Sequence, residues 1–208
     1  MFVWKALSPI LATVVVALLS GAALAQERDP CAGKPWWTES AISFEDFDFW
    51  LGEWHVYDTE SGNLRGFDDV EKDLGGCVIT QHWRQMDDAF APPGTNRRLQ
   101  GKTLSGISGA GEWRQIWTDN GGGNLLFTGG LQGDGSMVLF SEWYSVPAKD
   151  GKTVSIRNVW HWMPIDENTI HNWGFIEVQK GKNEPKKYFD ITYRRSAIGG
   201  PSAKARDK

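Results

Sequence analysis

The sequence predicts an all-β protein, an antiparallel up-and-down barrel of about ten strands with a short N-terminal helix. Three observations carry this. From residue 53 onward, short runs rich in β-branched and aromatic residues follow one another at intervals of roughly 10–15 residues. Gly, Asn and Asp separate the runs, in pairs suited to tight hairpins. No stretch of helical period lies between them, so the strands have no crossover helices and must pair as consecutive hairpins. Such a sheet buries its apolar face and removes its edges by closing on itself. A two-sheet sandwich is the competing arrangement.

The chain of 208 residues opens with Lys5 as its only early charge, then runs apolar from Ala6 to Leu24, ending at Ala23-Leu24-Ala25. A charged start, an apolar centre and a small-x-small end have the layout of a secretory signal peptide, so residues 1–25 are expected to be cleaved. Export to the periplasm or the medium follows, and a mature chain free of membrane insertion, since no second apolar run is long enough to span. What remains is the length of one domain. A formal net charge of −4 excludes the basic face that nucleic-acid binding needs. Cys31 and Cys77 are the only cysteines. In an oxidising space an even pair most simply forms one disulfide; two free thiols are the alternative, and neither sits in a CxxC redox motif.

Residues 26–43 are polar and turn-rich and read as an extended lead-in to a domain spanning 44–196. Within 44–51, apolar residues at 44, 47, 50 and 51 have helical spacing, and Gly52 can end the helix. The strands are expected at 53–59, 64–73, 77–86, 97–107, 112–119, 124–131, 135–146, 152–163, 168–179 and 186–195. Ser61-Gly62-Asn63, Asn120-Gly121-Gly122, Asp134-Gly135, Asp150-Gly151 and Asp166-Glu167-Asn168 supply the turns. The tail 197–208, with Gly199-Gly200-Pro201, is expected to be disordered.

Phe47-Asp48-Phe49-Trp50-Leu51-Gly52-Glu53-Trp54 resembles the Gly-x-Trp opening of lipocalin-like (calycin) barrels. Gly75-Gly76-Cys77-Val78-Ile79, Gly111-Glu112-Trp113-Arg114-Gln115-Ile116-Trp117-Thr118-Asp119 and Phe189-Asp190-Ile191-Thr192-Tyr193-Arg194-Arg195 resemble the secreted bacterial family of unknown function DUF1579. The resemblance covers about residues 44–195. It implies a barrel closed at one end by a short helix against the first-strand Trp, and no particular activity. Nitrobindin-like haem barrels share the opening more distantly. Their haem is held by a His near the last strand, where this chain has Tyr193.

Of the 12 Trp, all but Trp4 lie beyond residue 25. Period-two alternation puts Trp113, Gln115, Trp117 and Asp119 on one face of their strand, and Trp160 and Trp162 together on another. Ligand pockets are largely apolar with a few placed polar groups, and barrel mouths are common sites for them. The expected ligand set is therefore Trp117, Trp160, Trp162 and Trp173 as stacking surface, with Gln115, Glu142, Arg157 and Tyr193 as the polar set. A small apolar or aromatic molecule is the expected partner. The same indoles could instead fill the barrel, each with its N–H satisfied.

If the turn centres on Asp166, His161 and His171 fall opposite each other, near enough to share a metal; a one-residue slip destroys this. No other His has metal-site spacing, and no motif calls for a cofactor. Signatures of zinc proteases, serine hydrolases, phosphate-binding loops and dinucleotide folds are missing. An isomerase or hydrolase using Glu142 with Arg157 inside the cavity remains open, as does a structural or interaction role for a filled barrel. Monomer and homodimer both stay open.

Overall fold

The computed structural model describes residues 31–91, 97–148, 151–180 and 185–196. The expected signal peptide, the first five residues of the lead-in and the tail from 197 lie outside the described residues.

Eleven strands form one antiparallel sheet: β1 (Gly52–Asp58), β2 (Leu64–Asp73), β3 (Val78–Gln85), β4 (Gln100–Ile107), β5 (Trp113–Asp119), β6 (Asn124–Leu131), β7 (Met137–Ser141), β8 (Tyr144–Pro147), β9 (Thr153–Asp166), β10 (Thr169–Val178) and β11 (Lys186–Arg195). Each strand from β1 to β6 pairs with the next; β7 pairs with β9, β9 with β10, β10 with β11, and β11 with β1. The ring is thereby closed, an up-and-down barrel of ten staves with β8 as an extra length beside β9. The hairpins follow from the turn residues. Gly62 and Gly135, for example, hold φ of 70° and 85°, a left-handed backbone that costs a residue with a Cβ roughly 1–2 kcal/mol.

Two elements differ from the expectation. The run 135–146 is not one strand but β7 and β8, broken at Glu142-Trp143. The Ser141 hydroxyl takes the backbone N–H of Asn158 at 2.8 Å and donates to the Glu142 carbonyl at 2.9 Å. A side chain thus replaces a rung of the β7–β9 ladder, and pairing with β9 resumes only at Tyr144. The segment 44–51 forms no α-helix, only a 3-10 turn at Asp48–Trp50 without a side-chain cap. Phe44, Phe47 and Trp50 are all buried, and Phe49, which a helix would turn away from their stripe, packs against the same core; burial on more than one side favours a tucked loop over an amphipathic helix.

That turn seals one end of the barrel. Phe47 stacks on Trp50 with centroids 4.8 Å apart and meets Trp113 and Trp162 edge-on. Trp54 on β1 donates its indole N–H to the Trp50 carbonyl at 2.8 Å, so the plug is tied to the first stave by a bond worth about 1 kcal/mol. Residues 31–43 run in turns and bends along the same end, where Trp37 and Ser40 bond the carbonyls of Ser108 and Gly111. The Cys31–Cys77 disulfide pins this segment beside the β2–β3 hairpin. The opposite end, where β5 meets β6 and β7 gives way to β8, has no such plug among the described residues.

Candidate ligand cavity

Alternation along the staves leaves the open half of the barrel hollow. A cavity of about 700 Å³ occupies it, within the range of small-molecule sites. Its wall is built mainly from Trp83, Trp117, Trp160, Trp162, Leu125 and Phe189. Trp160 is central. Its ring lies 4.4 Å from Phe127, 5.6 Å from Trp117 and 6.0 Å from both Trp162 and Phe189, mostly edge to face. The Trp160 indole N–H donates to the Tyr188 hydroxyl, which fixes the ring's rotation. Gly101 on β4 faces Trp117, and the six-membered edge of that indole fills the place a Cβ would take. Trp162 packs against both Phe47 and Trp50, so it is the partition between plug and cavity.

Polar groups are few and placed. Asn158 and Asn172 lie inward on β9 and β10. Asn172 Nδ2 donates to the His161 carbonyl at 2.7 Å, and Asn158 Nδ2 to the Tyr144 hydroxyl at 2.8 Å. Toward the plug, Gln81 Nε2 and Tyr193 Oη both donate to Asp68 Oδ2, at 2.8 and 2.9 Å. Asp68 is fully enclosed and Oδ1 has no partner. Burial pushes its pKa up to about 8 against the opposing pull of those two hydrogen bonds, so the carboxyl is neutral at pH 7. Burial, and then the neighbouring Asp68, also raises the Tyr193 phenol well above its ordinary value. At the mouth, Asp119 Oδ1 accepts the backbone N–H groups of Gly121 and Gly123, while Oδ2 takes the Trp117 indole N–H at 2.8 Å.

The structure brings Trp117, Trp160, Trp162, Tyr193 and Glu142 together around the cavity. Gln115 points inward but lies deeper, bonded to Ser105 at 3.0 Å and outside the lining. Trp173 and Arg157 are on the outer face, a correction to the sequence reading. The alternation that turns Trp160 and Trp162 inward turns Arg157 outward. There it pairs with Glu177 at 2.7 Å and lies over Phe140 and Trp143. Trp173 pairs with His161 across the hairpin and shares its outward face. Arg157 and Glu142 therefore do not meet inside the barrel, which removes the acid–base pair expected from the sequence.

The His161–His171 register is also corrected. The turn centres between Glu167 and Asn168 rather than on Asp166, and with a one-residue bulge between Thr169 and Ile170 the pairing lies two positions from the expected one, so that His161 opposes Trp173 and His171 opposes Met163. Trp173 stands between the two imidazoles, with centroids 4.9 and 4.4 Å away. His171 bonds Asp190 at 2.6 Å. No group of three His, Cys, Asp or Glu is arranged to hold a metal among the described residues.

Sequence reasoning missed Gln81, Asn172 and Asp68. Asn172 gave no signal, because the turn expected at Asp166 set Trp162 opposite Ile170 and only the observed register pairs it with Asn172. Asp68 gave a weak one, an acid on the same face as Gly66 and Val70 of β2. No protein-family model matches the sequence, and a search of curated proteins finds no match.

Proposed function

We propose that this chain is an exported binding protein of the DUF1579, lipocalin-like kind, which holds a small apolar or aromatic molecule inside its barrel. The observation that carries the reading is the half-hollow interior: an aromatic-walled cavity of about 700 Å³ in a barrel whose other end is sealed. A barrel that needed only to be stable would fill both halves, because empty apolar volume is destabilising. The indole walls supply area, and the sparse amides supply orientation. Export is supported by the signal-like N-terminal segment and by the disulfide, a bond that persists in oxidising compartments.

Titration of intrinsic Trp fluorescence with a panel of hydrophobes of two- and three-ring size tests this. Trp117, Trp160 and Trp162 form the wall, so saturable quenching or a spectral shift is expected, weakened at least about tenfold by Trp160→Leu through lost stacking area. A flat response across the panel would count decisively against binding.

A further inference from the structure

The charge and hydrogen-bonding balance of the cavity narrows the class of ligand. Among the described residues its lining contains two carboxylates, Asp119 and Glu142, and no Lys, Arg or His. Both acids are at the mouth, on either side of the first residues of β6: Asp119 accepts from Gly123, and the Glu142 N–H bonds the Leu126 carbonyl. Asp119 has its oxygens occupied by the turn and by Trp117. The Glu142 side chain is exposed at the rim.

The amides lean the same way. Asn158, Asn172 and Gln81 are 5%, 3% and 8% exposed, and each nitrogen already donates to the protein. Asn172 is oriented by its partner, because a backbone carbonyl can face only the nitrogen. The three amide oxygens accept no hydrogen bond among the described residues, yet none is sealed away from the cavity. Tyr193 spends its proton on Asp68, leaving a lone pair. The donors this wall keeps are all uncharged: indole and phenol groups, the second N–H of each amide, and the Asn124 amide at the mouth. Anions would find no cation here, whereas indole faces, amide oxygens and carboxylates all favour a positively charged guest.

We propose that the ligand is an organic monocation, a primary or secondary amine on a flat apolar body. The body lies among Trp117, Trp160 and Trp162, and the ammonium group meets Glu142 and the Asn158 amide oxygen. This rests on the binding reading above and goes further by excluding fatty acids and other carboxylates.

Calorimetry on the full mature chain with three probes of one shape tests it: naphthylmethylamine, naphthylmethanol and naphthoate. The amine should bind about five- to tenfold more tightly than the alcohol, from one rim ion pair and one cation–π contact, with naphthoate weakest. Glu142→Gln should weaken the amine about threefold to fivefold and leave the alcohol unchanged. Equal affinity for amine and alcohol, or tightest binding of naphthoate, overturns the monocation while leaving a binding protein. An amine unaffected by Glu142→Gln overturns its placement at the mouth. Absence of heat with all three probes, together with unchanged Trp fluorescence, overturns both readings.

Discussion

Replacing Asp68 with Asn should make the protein more stable above neutral pH, because the wild-type barrel holds an acid where water cannot reach it. Folded, Asp68 keeps its proton up to about pH 8; its ordinary value is 3.8. Between those values the unfolded chain binds fewer protons than the folded one, so stability falls as pH rises. The contribution is intact below about pH 4 and lost as pH passes about 8. At pH 7 the gap of about three units corresponds to roughly 4 kcal/mol, at about 1.4 kcal/mol per unit. Asn is isosteric and uncharged at every pH, and its oxygen can accept from Gln81 and Tyr193 as Asp68 Oδ2 does. Its NH2 takes the place of Oδ1, which has no partner, so one unpaired donor replaces another. In urea titrations followed by Trp fluorescence from pH 4.5 to 8.5, the variant should lack the wild-type decline. Its Tm at pH 7.5, where the gap corresponds to roughly 5 kcal/mol, should be roughly 10–20 °C higher, at about 2–4 °C per kcal/mol for this size. The two curves should converge near pH 4. His161, whose pKa burial lowers, titrates in both proteins and cancels in the comparison. A variant less stable than wild type by a constant amount at every pH would refute the neutral carboxyl.

Cys31→Ser should reduce stability by about 4 kcal/mol, the chain-entropy value for a loop of this size, here spanning 46 residues; a reducing agent should lower the wild-type Tm and leave the variant's unchanged. Gly101→Ala drives a methyl group into the Trp117 ring, so it should cost about 1–3 kcal/mol in urea unfolding and alter Trp emission in the folded state. Arg84→Met leaves Asp69 without its partner at 2.8 Å in a pair less than a tenth exposed; equilibrium unfolding at pH 7 should show a loss of about 3–5 kcal/mol.

The all-β class and nearly every stave were legible because hairpin barrels announce themselves locally: a period-two run, then a turn that only certain residues can make. Gly62, Gly122, Gly135 and Gly151 all take the positive φ their turns implied. What stayed hidden was set by non-local contacts. Alternation says that Trp173 and Phe175 share a side, but not which side is the interior; that parity depends on pairing with β9 and on the bulge at Thr169. The kink at Glu142 depends on one hydroxyl meeting a backbone N–H seventeen positions away. The missing helix at 44–51 reflects what surrounds it, since the spacing of Phe44, Phe47 and Trp50 fits a helix equally well. Of the cavity, the indoles of Trp117, Trp160 and Trp162 could be read in advance. The amides could not, because Asn in a strand carries no sign of facing inward.

β1 is hydrogen-bonded on both sides, to the next segment of the chain and to the last one, with Trp54 opposite Asp68 on one flank and Arg195 on the other. During synthesis the second of these neighbours arrives only when almost all of the polypeptide has emerged. Until then the growing sheet has two bare margins, each able to recruit a strand from another molecule. Completion by such distant partners makes for slow folding. A chain shortened before residue 186 would have no final stave, and its expected fate is association through those margins rather than a smaller barrel.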